Sequence, residues 1–212
     1  MNREILEDSG LYFITDRSLS RKTVIEDVEA AVRAGVRIVQ YREKELSTKD
    51  IFEEAKRIRE ITKLSGVLLI VNDRVDIALA VYADGVHIGQ DDMPYEKARE
   101  LLGDDKIIGV TAHNVKEAVE AEQLGADYVG ISPIFATATK KDAGKPAGIR
   151  LIEEVKEIIK IPFVAIGGIN FENIGSVLDA GAKSVVTISA IVTKEDVEEE
   201  CKKFIATIKN IA

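Results

Sequence analysis

Short apolar runs alternate along this chain with longer stretches in which apolar residues recur every three or four positions. The runs, rich in Val and Ile, fall at 11–15, 36–41, 67–71, 86–89, 106–110, 127–131, 162–166 and 184–188. Each stops abruptly at polar residues or glycine. The longer stretches fall at 23–34, 48–65, 75–82, 94–102, 115–124, 149–160, 171–180 and 194–211. The first pattern predicts strands buried on both faces, the second amphipathic helices. Ser47 is placed to cap the second helix, Pro94 to open the fourth, and Gly35, Gly125 and Gly181 to close helices.

The stretch 70–92, IVNDRVDIALAVYADGVHIGQDD, shows how the pieces connect. A strand, a short helix leaving through an Asp84-Gly85 turn, and a second strand form a unit too long for a hairpin, so its strands run parallel. Parallel strands end on one rim. Asp73 and one of Asp91 and Asp92 therefore arrive together, a pairing that suits a divalent metal. The plainer role for Asp73 alone is to cap the next helix. Eight such units follow one another, and their junctions echo one another as RAGVRIV, YADGVHI, QLGADYV and LDAGAKSVV. The expectation is an α/β chain forming a single (β/α)8 TIM barrel over 1–212. An open doubly wound sheet ranks lower, because no Gly-rich dinucleotide turn follows the first strand.

Composition narrows the function. A net charge of −8 over 212 residues argues against nucleic acid and anionic membranes as partners. The lone Cys201 has no disulfide partner, no apolar run approaches 18 residues, and MNREILEDSG has no signal-peptide core. The expectation is a soluble cytoplasmic protein, with the question of a homo-oligomer left open.

In a barrel the strand-end loops carry function. Here those positions hold Asp16; Gln40, Arg42 and Lys44; Asn72 and Asp73; Asp91 and Asp92; Thr111 and His113; Thr137, Thr139 and Lys140; Gly167 and Gly168; and Ser189. Arg42 and Lys44, two apart, suit a multiply charged anion, the alternative being a solvated charge pair. Gly167-Gly168 and Ser189-Ala190 follow the seventh and eighth strands, where barrels hold a phosphate monoester; tight packing is the other use for the glycines. His87 lies within a strand and is expected to be packed inside. His113 sits at a strand end without an evident partner.

The chain resembles the thiamine phosphate synthase family. The resemblance rests on residues 40–44 (QYREK), 71–73 (VND), 84–92 (DGVHIGQDD), 133–135 (PIF), 137–141 (TATKK), 165–169 (AIGGI) and 188–191 (ISAI), in order and correctly spaced. Thr111 stands where the family usually has Ser, and Ser132 where Gly is usual. The resemblance implies a Mg²⁺-dependent transferase. It would condense an aminopyrimidine methyl diphosphate with hydroxyethylthiazole phosphate, giving thiamine phosphate and pyrophosphate through a carbocation. It implies Asp73 and Asp92 as metal ligands and Arg42, Lys44 and Lys140 as catalytic groups. Gln40, Tyr41, Arg42, Glu43, Lys44, Asn72, Thr111 and Lys140 would hold the pyrimidine diphosphate. Thr137, Ala138, Thr139, Gly168, Ile188 and Ser189 would hold the thiazole phosphate. Residues 132–147, long and polar, are expected to form a lid that orders over pyrophosphate through Lys140. A thiazole tautomerase-like paralogue and a non-catalytic phosphate-ligand binder are the rivals; neither needs the metal acids.

Overall fold

Eight parallel strands close on themselves in chain order in this protein, for which a computed structural model describes residues 3–139 and 144–211. The strands are β1 (Gly10–Ile14), β2 (Ile38–Tyr41), β3 (Leu68–Asn72), β4 (Gly85–Ile88), β5 (Ile107–Ala112), β6 (Tyr128–Ile131), β7 (Phe163–Ile166) and β8 (Ser184–Val186). Between and after them run α1 (Val24–Arg33), α2 (Thr48–Leu64), α3 (Val75–Ala80), α4 (Tyr95–Leu102), α5 (Val115–Leu124), α6 (Ile149–Ile158), α7 (Ile174–Asp179), α8 (Ser189–Val192) and α9 (Val197–Ile211). Gly10 of β1 pairs with Ser184 of β8, and the Ser9 hydroxyl reaches that of Ser184 at 2.8 Å. The expected (β/α)8 TIM barrel is the observed fold; the sheet is not open.

Residue parity divides the core in two. Tyr12, Ile14, Ile38, Leu68, Ile70, Ile107, Tyr128, Val164 and Val186 point inward and pack together, joined by Leu6 from a 3-10 turn at Arg3–Leu6. Their strand neighbours Leu11, Phe13, Val39, Tyr41, Leu69, Val71 and Val129 pack outward against the helices. Both faces are apolar, so the strands read as unbroken hydrophobic runs.

Local chemistry sets the helix ends; Ser47 and Gly35 act as expected, whereas Thr23, expected as the first residue of its helix, is the cap. Thr23 accepts from the Glu26 amide at 3.2 Å while the Glu26 carboxylate accepts from the Thr23 amide at 2.9 Å, a reciprocal cap for α1. Ser47 accepts from the Asp50 amide and caps α2. Gly35, at φ +94°, turns the chain out of α1 into β2.

Several boundaries differ. Pro94 is the cap of α4 in extended conformation, not its first helical residue, because ψ of 139° cannot continue a helix. Gly85 is the first residue of β4 rather than part of the turn. The turn ends at Asp84, whose carboxylate accepts from Arg59 at 2.7 and 3.2 Å and from the Leu69 amide at 2.8 Å. Asp127 repeats this device before β6, accepting from Arg99 and the Ile108 amide, each at 2.8 Å. The four-residue α8 was not foreseen. No helix among the described residues is long and apolar enough to cross a membrane.

The connection after β6 is tied down at both ends. The Ile134 amide donates to the Ile166 carbonyl at 2.9 Å and the Phe135 amide to the Gly167 carbonyl at 3.0 Å. At the far end Ala147 and Gly148 donate to Pro133 and Ile134. Residues 132–136 are thus part of the scaffold, which narrows the expected lid. Lys140, on which that expectation rests, lies outside the described residues.

Candidate active site

A cavity of about 210 Å³ opens at the C-terminal ends of the strands, floored by Ile14, Ile166 and Val186. Around it stand Gln40, Arg42, Lys44, Asn72, Asp73, Asp92, Thr111, Thr137, Thr139, Gly168, Ile188 and Ser189, all residues singled out from sequence. Tyr41, Glu43 and Ala138, which the resemblance placed among the substrate contacts, do not line it. Parity explains the first two. Gln40 faces inward, so Tyr41 faces outward, where it is buried and its hydroxyl donates to Glu54 on α2 at 2.8 Å. Glu43 accepts from Arg17 at 2.6 Å and from the amides of Lys44 and Glu45, which fixes the loop that carries Lys44.

The charged groups are already paired. Arg42 donates to Asp16 at 3.0 Å. Asp16 is buried and also accepts from Ser18 and the Leu19 amide, so it is a fixed anchor for Arg42. Lys44 is ion-paired with Asp73, which also accepts from Asn72. Asp73 adopts φ of 59°, in the left-handed region that Asp tolerates better than most side chains. Its amide donates to the His87 carbonyl at 2.8 Å. Asp73 caps no helix: the cap position of α3 is Arg74. Asp92 accepts from the Gly89 amide at 2.7 Å within its own loop. Burial pushes the Asp92 carboxyl up, and the neighbouring Asp73 carboxyl pushes it further.

His113 has a partner after all. Its amide and its ring Nδ1 meet Glu117 at 2.8 and 3.0 Å. Burial would raise the Glu117 carboxyl, but the bonds from His113 and Asn114 overcome that and hold it low. The i,i+4 spacing was visible in the sequence. Gly167 and Gly168 leave no room for side chains: a Cβ on Gly167 would lie 2.7 Å from Pro133, and one on Gly168 2.5 Å from the Ala136 carbonyl oxygen. They serve tight packing of the loop after β6 while also lining the cavity.

Sequence reasoning placed His87 inside the barrel, where it is buried, but missed that it walls the cavity. His87 lines it and bonds Thr111 at 2.9 Å and Tyr128 at 3.0 Å. Tyr12 and Tyr128, read only as apolar strand residues, meet hydroxyl to hydroxyl at 2.8 Å. Gln90 donates to the Thr111 carbonyl at 2.5 Å.

Comparison with known proteins gives a consistent picture. The family described as thiamine monophosphate synthase matches residues 11–191. A thiamine-phosphate synthase from Methanosarcina barkeri is 58% identical over 205 residues, covering 97% of this chain and 93% of that protein. One from Clostridium novyi is 52% identical and covers 95% of this chain and 97% of its own. Among solved structures, thiamine phosphate pyrophosphorylase from Pyrococcus furiosus superimposes with a TM-score of 0.90 at 39% identity, covering 98% of each chain. An N-acetylmannosamine-6-phosphate 2-epimerase from Clostridium perfringens, at 16% identity and a TM-score of 0.66, shares the fold.

Proposed function

This chain belongs to the thiamine monophosphate synthase family, and on that premise we propose that it moves an aminopyrimidine methyl group from its diphosphate to the ring nitrogen of hydroxyethylthiazole phosphate. The products are thiamine phosphate and pyrophosphate, and the enzyme is a transferase of thiamine biosynthesis. The carbon–oxygen bond breaks and its electron pair leaves with pyrophosphate. The lone pair of the thiazole nitrogen then captures the methylene cation. That nitrogen carries no proton, so the reaction requires neither a general base nor a nucleophilic side chain.

The make-up of the cavity supports this reading. It offers cations, carboxylates, hydroxyls and amides, while of its two histidines His113 is bonded to Glu117 and His87 to Tyr128 and Thr111. Arg42 and Lys44 act on the diphosphate as it gathers charge, each contact worth about 4 kcal/mol at 4 Å and an effective dielectric of 20, before desolvation. Gln40, Asn72 and Thr111 help hold the same pyrimidine diphosphate. Thr137, Thr139, Gly168, Ile188 and Ser189 take the thiazole phosphate, and Lys140 joins the leaving-group side on the strength of the resemblance.

The observation that carries the proposal is the convergence of two carboxyls, Asp73 and Asp92, on one cavity beside Lys44. Lys44 answers only Asp73, so two carboxylates converging there favour a further cation between them. Mg²⁺ keeps several waters and takes one or two carboxylates plus substrate phosphate, which suits this pair although the described residues offer no cluster of three ligating side chains. Asp73 and Asp92 would hold the ion, and it would offset charge on the departing pyrophosphate. Lys44, then released from Asp73, would turn to the same oxygens. A thiazole tautomerase-like protein would have no use for this acidic pair. The reaction belongs in a reducing cytoplasm, consistent with the single, buried Cys201.

The test is incubation with both substrates, with and without Mg²⁺, following thiamine phosphate and pyrophosphate together. Equimolar products that require the metal are expected. Pyrophosphate without thiamine phosphate, or no turnover, would overturn the reaction. Full turnover in chelator would overturn the metal.

A further inference from the structure

A chain of hydrogen bonds crosses the barrel interior between two walls of the cavity. Gln40 Nε2 donates to the Tyr12 hydroxyl at 3.0 Å. The Tyr12 and Tyr128 hydroxyls meet at 2.8 Å, Tyr128 meets His87 Nδ1 at 3.0 Å, and His87 Nε2 meets Thr111 Oγ1 at 2.9 Å. All five residues are buried, and Gln40, His87 and Thr111 line the cavity.

We propose that this chain is proton-ordered, and that Tyr12, Tyr128 and His87 are positioning residues which fix one end of the site as an acceptor and the other as a donor. The order follows from counting protons. An amide nitrogen only donates, so Tyr12 accepts from Gln40 and spends its single proton on Tyr128. Tyr128, accepting there, spends its own on His87 Nδ1. In its neutral form His87 then carries its proton on Nε2 and gives that bond to Thr111. The Thr111 hydroxyl proton is left for the cavity, and so is the Gln40 carbonyl oxygen. Turning the Gln40 amide over would reverse every bond and leave Thr111 facing an anion with lone pairs. The chain therefore has two orders, and its two ends cannot be set independently.

The observed order fits the substrate of the proposed reaction, on which this point rests. The exocyclic amine of the pyrimidine donates to Gln40, and the diphosphate accepts from Thr111. Two neighbouring strands give up side chains to seat the relay. A Cβ on Gly109 of β5 would lie 2.5 Å from the Tyr128 hydroxyl, and one on Gly130 of β6 would lie 2.9 Å from His87 Cε1. Burial pushes both phenols well above their usual pKa, so they stay neutral links.

The test is ¹⁵N NMR of the imidazoles in the intact protein. The chain has two histidines, so His113→Gln identifies the His87 signals. In the neutral imidazole the proton of His87 is expected on Nε2. In Gln40→Glu, which puts an acceptor at the head of the chain, it is expected to move to Nδ1. A wild-type proton on Nδ1, or a tautomer unchanged in Gln40→Glu, would overturn the proposal. In Tyr128→Phe, which cuts the chain, kcat/KM for the pyrimidine diphosphate should fall about tenfold, the scale of one misdirected buried hydrogen bond. The KM for thiazole phosphate should stay put. Equal effects on both substrates would reduce the chain to a structural core. If Tyr128→Phe does not fold, Tyr12→Phe gives the same cut one link away. Failure of the wild type to make thiamine phosphate would refute the reaction proposed above, while the tautomer measurement would still decide the ordering.

Discussion

Gly109→Ala is the smallest change that reaches the centre of the barrel. The added methyl would fall inside the envelope of the Tyr128 ring, 2.5 Å from its hydroxyl. Tyr128 has no room to retreat, being fully buried among Tyr12, His87 and the inner aliphatic residues. Overpacking of this kind costs about 1–3 kcal/mol. The gain from replacing a strand glycine with alanine offsets roughly 0.5–1 kcal/mol of that. The close approach to the ring carbon Cζ puts this site at the top of the overpacking range, so a net loss of about 2–2.5 kcal/mol lowers the melting midpoint by roughly 4–10 °C for a chain of this size. The assay is thermal unfolding by circular dichroism, with urea titration to separate a changed midpoint from a changed slope. Tyr128→Ala in the same background should cost less than it does alone, because the clash disappears with the ring. An unchanged midpoint in Gly109→Ala, or strict additivity in the double variant, would refute the claim that Gly109 exists to seat Tyr128.

Three further outcomes are expected. Asp92→Asn should lose most Mg²⁺-dependent turnover yet unfold like the wild type; full activity at limiting Mg²⁺ would remove Asp92 from the metal site. Ser189→Ala should raise the KM for thiazole phosphate more than that for the diphosphate, and Arg42→Ala should do the reverse with a lower kcat; equal effects would merge the two anion sites. Asp27, buried on α1 with its Oδ1 unpartnered among the described residues, has its carboxyl pushed up by burial. A raised carboxyl favours the protonated folded state, so wild-type stability should fall relative to Asp27→Asn as pH rises from about 4 through the folded pKa. Parallel stability–pH curves would show that Asp27 titrates alike folded and unfolded.

The barrel was legible because burial on both faces leaves unbroken apolar runs, and because residues such as Ser47 and Gly35 mark helix ends through their own backbone chemistry. The rim was legible because Asp73, Asp92, Arg42 and Lys44 stand at strand ends, where a packing role is least expected. Treating 40–44 as one binding run failed at Tyr41, since the period of two sends it outward; that signal was in the sequence and went unused. The partner of His113 was equally readable at i,i+4. Tyr12 and Tyr128 were not readable, because their contact joins residues 116 apart and depends on the shear of the closed sheet. Pro94 and Gly85 show a smaller limit: each marks a boundary, but a one-residue shift decides on which side of it they fall.

Closure of the sheet also governs when the molecule can form. The Ser9 amide and hydroxyl both meet the Ser184 hydroxyl, across 175 residues of sequence. During synthesis at about 5–20 residues per second, that interval takes roughly 9–35 s. Throughout it the free edge of β1 has no neighbour, while β2 to β7 can begin to pair in order behind it. The last strand to emerge is the one that seals the first. Ring closure is thus a late event of nascent-chain folding, and the interval before it is when this protein most needs protection from edge-to-edge association.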